Sequence, residues 1–106
     1  MKAKYTEKEF LGQVMRLAGL RGWKTAHFRP GMMQDGRWVT PVAGDGAGFP
    51  DLILVRDNVL LALELKVGRN KPTPEQLGWL EAFGRVAAVS RVVRPEDWDE
   101  IERMLM

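Results

Sequence analysis

The chain has 106 residues, 45% of them hydrophobic and 28% charged, with a formal net charge of +2 and no cysteine. That length allows one domain, residues 1–106, with a modest core, and the composition excludes a disordered chain. The missing cysteines exclude disulfides and thiolate metal sites, and no run of about 18 apolar residues is available to span a membrane. The opening M-K-A-K-Y-T-E-K-E-F lacks the apolar core of a signal peptide, so a cytoplasmic protein is expected.

Charge is unevenly spread. Residues 1–95 hold 15 basic and 9 acidic residues, net +6, whereas residues 96–106 are net −4. A basic body permits phosphate-backbone binding without demanding it.

Thr6 is placed to cap a first helix, with Glu7, Lys8 and Glu9 in its first turn. Phe10, Leu11, Val14, Leu17 and Ala18 follow at helical spacing, and Gly19 to Gly22 ends the run. Glu7 shares the inward stripe, while Glu9 aligns with Gln13 and Arg16 on the polar side. Residues 23–29 predict a strand with His27 and Arg29 on one face and Phe28 on the other. The Gly- and Pro-rich segment after it predicts a long irregular connection. Residues 51–56 and 59–66 predict a hairpin turning at Asp57-Asn58. Thr73-Pro74-Glu75-Gln76 opens a second helix, with Leu77, Leu80 and Phe83 as its apolar stripe and Gly84 as its end. R-V-A-A-V-S-R-V-V predicts a fourth strand, and Pro95 starts a last helix with Trp98, Ile101 and Leu105 on one stripe. Trp23, Trp79 and Trp98 read as core. The order α-β-β-β-α-β-α predicts an α/β fold, a small mixed sheet flanked by helices.

Three charges interrupt the apolar hairpin. Asp51 opens its first strand, and Glu64 and Lys66, two apart on the second, point to one face. Pairing through the Asp57-Asn58 turn brings Asp51 near both. Two neighbouring carboxylates repel unless a cation lies between them, and hard oxygen ligands favour Mg²⁺ or Mn²⁺. Such a cation makes water a better nucleophile and offsets charge on a phosphate, while Lys66 can orient or deprotonate the water. An isolated E-x-K is more often a solvated ion pair, but the flanking leucines give this strand two buried faces.

Pro50-Asp51, thirteen residues further on Glu64-Leu65-Lys66, the basic loop V-G-R-N-K, then T-P-E-Q-L-G-W-L and A-V-S-R-V-V-R-P resemble the VRR-NUC family of the PD-(D/E)XK nuclease superfamily, in its small stand-alone phage and bacterial form. The resemblance spans nearly the whole chain. It implies a restriction-endonuclease-like core and metal-dependent hydrolysis of DNA phosphodiester bonds, on branched DNA as in Holliday-junction resolvases, by a homodimer. It makes Asp51, Glu64 and the Leu65 backbone carbonyl metal ligands, Lys66 the catalytic lysine, and Gln76 a residue near the water or metal. Thr73-x-x-Gln76 is also a capping box, and one residue can do both. The family's first-helix glutamate is assigned to Glu7, through water or a second metal; Glu9 is the alternative, and a helix N-terminal carboxylate the plainer reading of Glu7.

Arg29, Arg37, Arg69, Lys71 and His27 are further candidates for DNA contact, although such a basic residue is more often simply solvated and a lone His more often a packed or surface residue. Trp38 could stack at a DNA branch or anchor its loop, and Asp45 reads as a loop former. The competing functions are a nuclease for flaps, nicks or ordinary duplex, and a catalytically silent DNA-binding module on the same fold. A small α/β protein with a buried ion pair and no nucleic-acid role is a third.

Overall fold

A computed structural model describes residues 5–28, 31–32, 38–39, 44–86 and 88–106, with backbone alone at 31, 32, 38 and 39. Helix α1, Glu7–Leu20, starts at a capping box: Glu9 N donates to Thr6 Oγ1 at 3.1 Å and Thr6 N donates to the Glu9 carboxylate at 3.0 Å. These hydrogen bonds hold the Glu9 carboxyl below its usual range. The helix buries Phe10, Leu11, Val14 and Ala18, the stripe its spacing predicts.

The strands are β1 Lys24–His27, β2 Gly31–Met32, β3 Trp38–Val39, β4 Leu52–Arg56, β5 Val59–Leu65 and β6 Val89–Val93. Helix α2 is Pro74–Gly84, and α3 is Trp98–Leu105 after a 3-10 turn at Pro95–Asp97. One sheet runs β1-β4-β5-β6 and a separate ribbon pairs β2 with β3. β1, β4 and β5 are antiparallel neighbours, and β6 joins β5 in parallel through the α2 crossover. The result is a small α/β unit with a mixed four-stranded sheet and three helices.

The observed order has two strands more than predicted. β2 and β3 are two residues each, too short to leave an alternating pattern in the sequence. β6 begins at Val89 rather than Arg85, because residues 85 and 86 close the end of α2 with Arg85 N to Ala82 O and Val86 N to Phe83 O.

One sheet face, with Leu52, Leu54, Leu61, Leu63, Leu65 and Val93, packs on α1 and α3 through Phe10, Val14, Ile101 and Leu105. The other face carries α2, seated by buried Leu80 and by a 2.7 Å hydrogen bond from Ser90 Oγ to Leu80 O. β5 is therefore covered on both sides, and Leu61 to Leu65 are all buried. Leu77 does not join the buried stripe; it is 50% exposed. Trp23 is core and Trp98 packs against it. Trp79 is instead half-buried on the α2 face, because its ring packs on Phe49 and Phe83 rather than on the leucine core.

Arg56 ties α3 to the sheet. Its guanidinium lies 4.5 Å over the Trp23 ring and donates to Arg21 O, Leu105 O and Met106 O. Trp23 Nε1 donates to Leu105 O at 2.9 Å, and Arg21 to Glu102 O at 2.8 Å. The carbonyls left over at the end of a helix thus find donors. Arg56→Ala is expected to lower stability by about 2 kcal/mol in urea denaturation, through lost charged hydrogen bonds and ring stacking. Amide exchange should rise more in α3 than in β4 and β5; uniform acceleration would contradict a local clasp. Among the described residues no helix is long and apolar enough to cross a membrane.

Candidate functional site

A two-residue turn sets the register of the β4–β5 hairpin. Asp57, at φ 54°, takes the left-handed conformation that Asp tolerates better than branched residues. Arg56 then pairs with Val59, and the ladder continues to Leu52 opposite Leu63. One step further places Asp51 opposite Glu64, side chains on the same face. The hydrogen bonds agree. Asp51 N donates to Glu64 Oε1 at 3.1 Å, and Leu65 N donates to Asp51 Oδ2 at 3.0 Å. Lys66 Nζ stands 3.4 Å from Glu64 Oε2.

The same register would place Leu65 opposite Pro50, which is buried and has no N–H to give. Within a strand a residue's N–H and C=O point to the same side. The Leu65 N–H turns toward Asp51, so its carbonyl points to that side too, where Pro50 ends the ladder. Two carboxylates thereby meet at the end of the hairpin, and strand geometry directs the Leu65 carbonyl to the Asp51 side.

Glu64 is fully buried. Among the described residues its Oε2 has no hydrogen-bond partner, although Lys66 faces it as an ion pair. Burial, and then the neighbouring Asp51 charge, push its carboxyl up from the usual 4.5 to about 7; Lys66 opposes them in part. An orphaned buried carboxylate oxygen beside a second carboxylate suits a divalent cation, and Mg²⁺ commonly takes only one or two protein carboxylates.

The G-F-P-D segment is held on α2. Gly48 takes φ +78°, and a β-carbon there would lie 2.6 Å from Glu75 C and 2.7 Å from Gln76 N. Phe49 packs edge-on against Phe28, Trp79 and Phe83, with centroids 5.0–5.8 Å away. Trp79 Nε1 donates to the backbone carbonyl of Asp45 at 2.9 Å, which ties the loop to α2 without using the Asp45 side chain. An open hollow of about 350 Å³ lies outside α2 between Asp45, Ala47, Glu75, Gly78, Trp79 and Ala82; neither Asp51 nor Glu64 lines it.

The remaining predicted residues are placed as follows. Gln76 is half-buried in the first turn of α2, and its side-chain oxygen accepts from Thr73 N at 2.8 Å, the capping role. Glu7 is half-buried at the first position of α1. Among the described residues no three His, Cys, Asp or Glu side chains gather as a metal-ligand group, so neither Glu7 nor Glu9 joins Asp51 and Glu64 in one. His27 pairs with Leu52 and so shares the α1 face of the sheet; Phe28, one residue on, is the neighbour of Asp51, with Phe28 N donating to Asp51 O at 2.8 Å. Arg69 and Lys71 are exposed on the loop after Lys66. Arg29, Arg37 and the Trp38 side chain lie outside the described residues.

One residue of interest was missed. Arg94 follows β6, and Lys66 N donates to Val93 O at 3.1 Å, which makes Arg94 the parallel neighbour of Lys66. No local pattern signals this, because the two strands are joined through a helix. No protein-family model, curated protein or solved structure matches the chain.

Proposed function

We propose that the chain is a Mg²⁺- or Mn²⁺-dependent DNA endonuclease with a restriction-endonuclease-like core, as its resemblance to VRR-NUC nucleases implies. The observation that carries this reading is the fully buried Glu64, with one oxygen left without a hydrogen bond among the described residues, set beside Asp51 and Lys66. A purely structural ion pair gains little from a second carboxylate opposite the first.

In this reading Asp51, Glu64 and the Leu65 carbonyl hold the cation. When bound, the cation offsets charge on the phosphate and makes water a better nucleophile. Backbone N–H groups fix one oxygen of each carboxylate, which leaves the second oxygen of each, Glu64 Oε2 beside Lys66 Nζ among them, for the cation. Lys66 Nζ orients the attacking water or takes its proton. Water adds to phosphorus, the bond from phosphorus to the 3′ oxygen breaks, and that oxygen is protonated, leaving a 5′-phosphate and a 3′-hydroxyl. Gln76 can serve the site through its amide nitrogen while its oxygen caps α2. Branched DNA is the proposed substrate, and a twofold dimer would set two such sites on two strands.

The test compares cleavage of four-way junction, flap, single-stranded and duplex DNA, with Mg²⁺, Mn²⁺ or EDTA, by wild type and Lys66→Ala. The variant is expected to lose about 10²-fold or more in rate, the scale of general acid–base catalysis. Equal activity would sink the mechanism. Binding without cleavage under either metal would favour a silent module, and cleavage of plain duplex at the junction's rate would remove the branch preference. Sedimentation of the free protein tests the dimer.

A further inference from the structure

We infer that Arg94 is a phosphate-binding residue of this site and the anchor of the basic loop that follows Lys66. The inference rests on the nuclease reading above and extends it to a residue outside the hairpin. Leu61 pairs with Val89 and Leu65 with Val93, and the Lys66 N to Val93 O bond extends that ladder to Arg94. Arg94 itself stays extended, at φ −127° and ψ 162°, so strand alternation still holds there. Parallel partners share a face, which puts Arg94 on the side of Lys66 and Glu64, beside the cluster.

The surroundings of its charge point the same way. Arg94 is half-buried as a residue, and its guanidinium reaches an exposed loop. One guanidinium nitrogen donates to Asn70 O at 3.0 Å, in the middle of V-G-R-N-K. Among the described residues no carboxylate lies within ion-pair distance of that guanidinium. Asp97 accepts from the Arg94 backbone N–H instead, at 2.9 Å. A guanidinium has five N–H donors in a rigid fork matched to phosphate oxygens, and one hydrogen bond to a carbonyl occupies only part of it. A cation oriented by a loop carbonyl and, among the described residues, without a carboxylate at ion-pair distance, next to a candidate phosphodiester site, fits a backbone phosphate. The same bond to Asn70 O holds the loop carrying Arg69 and Lys71 toward the DNA.

Four-way junction binding, measured with Ca²⁺ in place of Mg²⁺ over a series of salt concentrations, separates the roles. Arg94→Gln keeps a donor for Asn70 O but removes the charge; Arg94→Lys keeps the charge but loses the fork. Wild type should bind. Arg94→Gln should bind about 10-fold more weakly, with the slope of log K against log salt reduced by about one, and Arg94→Lys should recover part of both. Circular dichroism and melting of each variant check that it folds. Wild-type affinity and slope in folded Arg94→Gln would overturn the proposal while leaving the nuclease reading intact. Failure of the wild type itself to bind or cut DNA would overturn both.

Discussion

Replacing Glu64 by glutamine is expected to abolish cleavage and, at the same time, to raise the melting temperature of the metal-free protein at about pH 8. The Glu64 carboxyl titrates near 4.5 in an unfolded chain and at about 7 in the folded one. Between those values the folded state holds a proton that the unfolded state has lost, so stability falls as pH rises through the window. The penalty is complete above about 7, on the order of 3 kcal/mol, and absent below about 4.5. Glutamine keeps an oxygen to accept from Asp51 N and carries no charge to bury. The gain in melting temperature should therefore be about 10 °C at pH 8 and vanish near pH 4.5. Mg²⁺ or Mn²⁺ should stabilise wild type at about pH 8 and leave Glu64→Gln unmoved, by mass action on the folded state. Calorimetry with and without EDTA reads all of these. A glutamine variant that is less stable than wild type at high pH would show that Glu64 is a structural group. The expected pattern is a carboxylate kept for function at a cost in stability.

The second large effect concerns Gly48. Gly48→Ala places a β-carbon 2.6 Å from Glu75 C and 2.7 Å from Gln76 N, and both atoms are backbone at the start of α2. Neither can swing aside as a side chain would. The φ of +78° adds strain for any residue with a β-carbon. Together these are expected to cost about 3 kcal/mol or more. The matched control is Gly44→Ala, where φ is also positive, at +68°, but nothing lies within 4 Å. There only the backbone strain remains, about 1 kcal/mol. A melting temperature about 10 °C or more below that control would confirm the close approach. Under the proposed nuclease function, cleavage should fall further than unfolding explains, because Gly48 sits three residues before Asp51 and a shifted loop would displace that carboxylate. Equal losses in the two variants would mean the loop yields without consequence.

The two effects separate what local sequence encodes from what packing adds. The Asp51–Glu64 pair was legible because a two-residue turn at Asp57-Asn58 counts the register backward from Arg56 and Val59 to Asp51 and Glu64. The burial of β5 was legible from its leucines, the helix cap from Thr6 and the second capping box from Thr73 and Gln76. His27 shows the opposite case: alternation had already put Phe28 on the other face, but the sequence did not say which of the two faces carried the carboxylates. Only the β1–β4 register did. Trp79 looked like core by composition, yet Phe49 and Phe83 hold it on the opposite face from the leucines.

The amino-acid order alone thus determined the helices, the hairpin and the convergence of Asp51, Glu64 and Lys66. Each depends on hydrogen bonds and side-chain periods that act between near neighbours, or across one short turn. Tertiary structure alone decided that Arg94 flanks Lys66, that Gly48 rests on the backbone of Glu75 and Gln76, and that Arg56 holds the end of α3. Those contacts join segments separated by a crossover helix or by half the chain. They exist only once the apolar faces have packed, and packing is a property of the whole surface buried rather than of any short stretch.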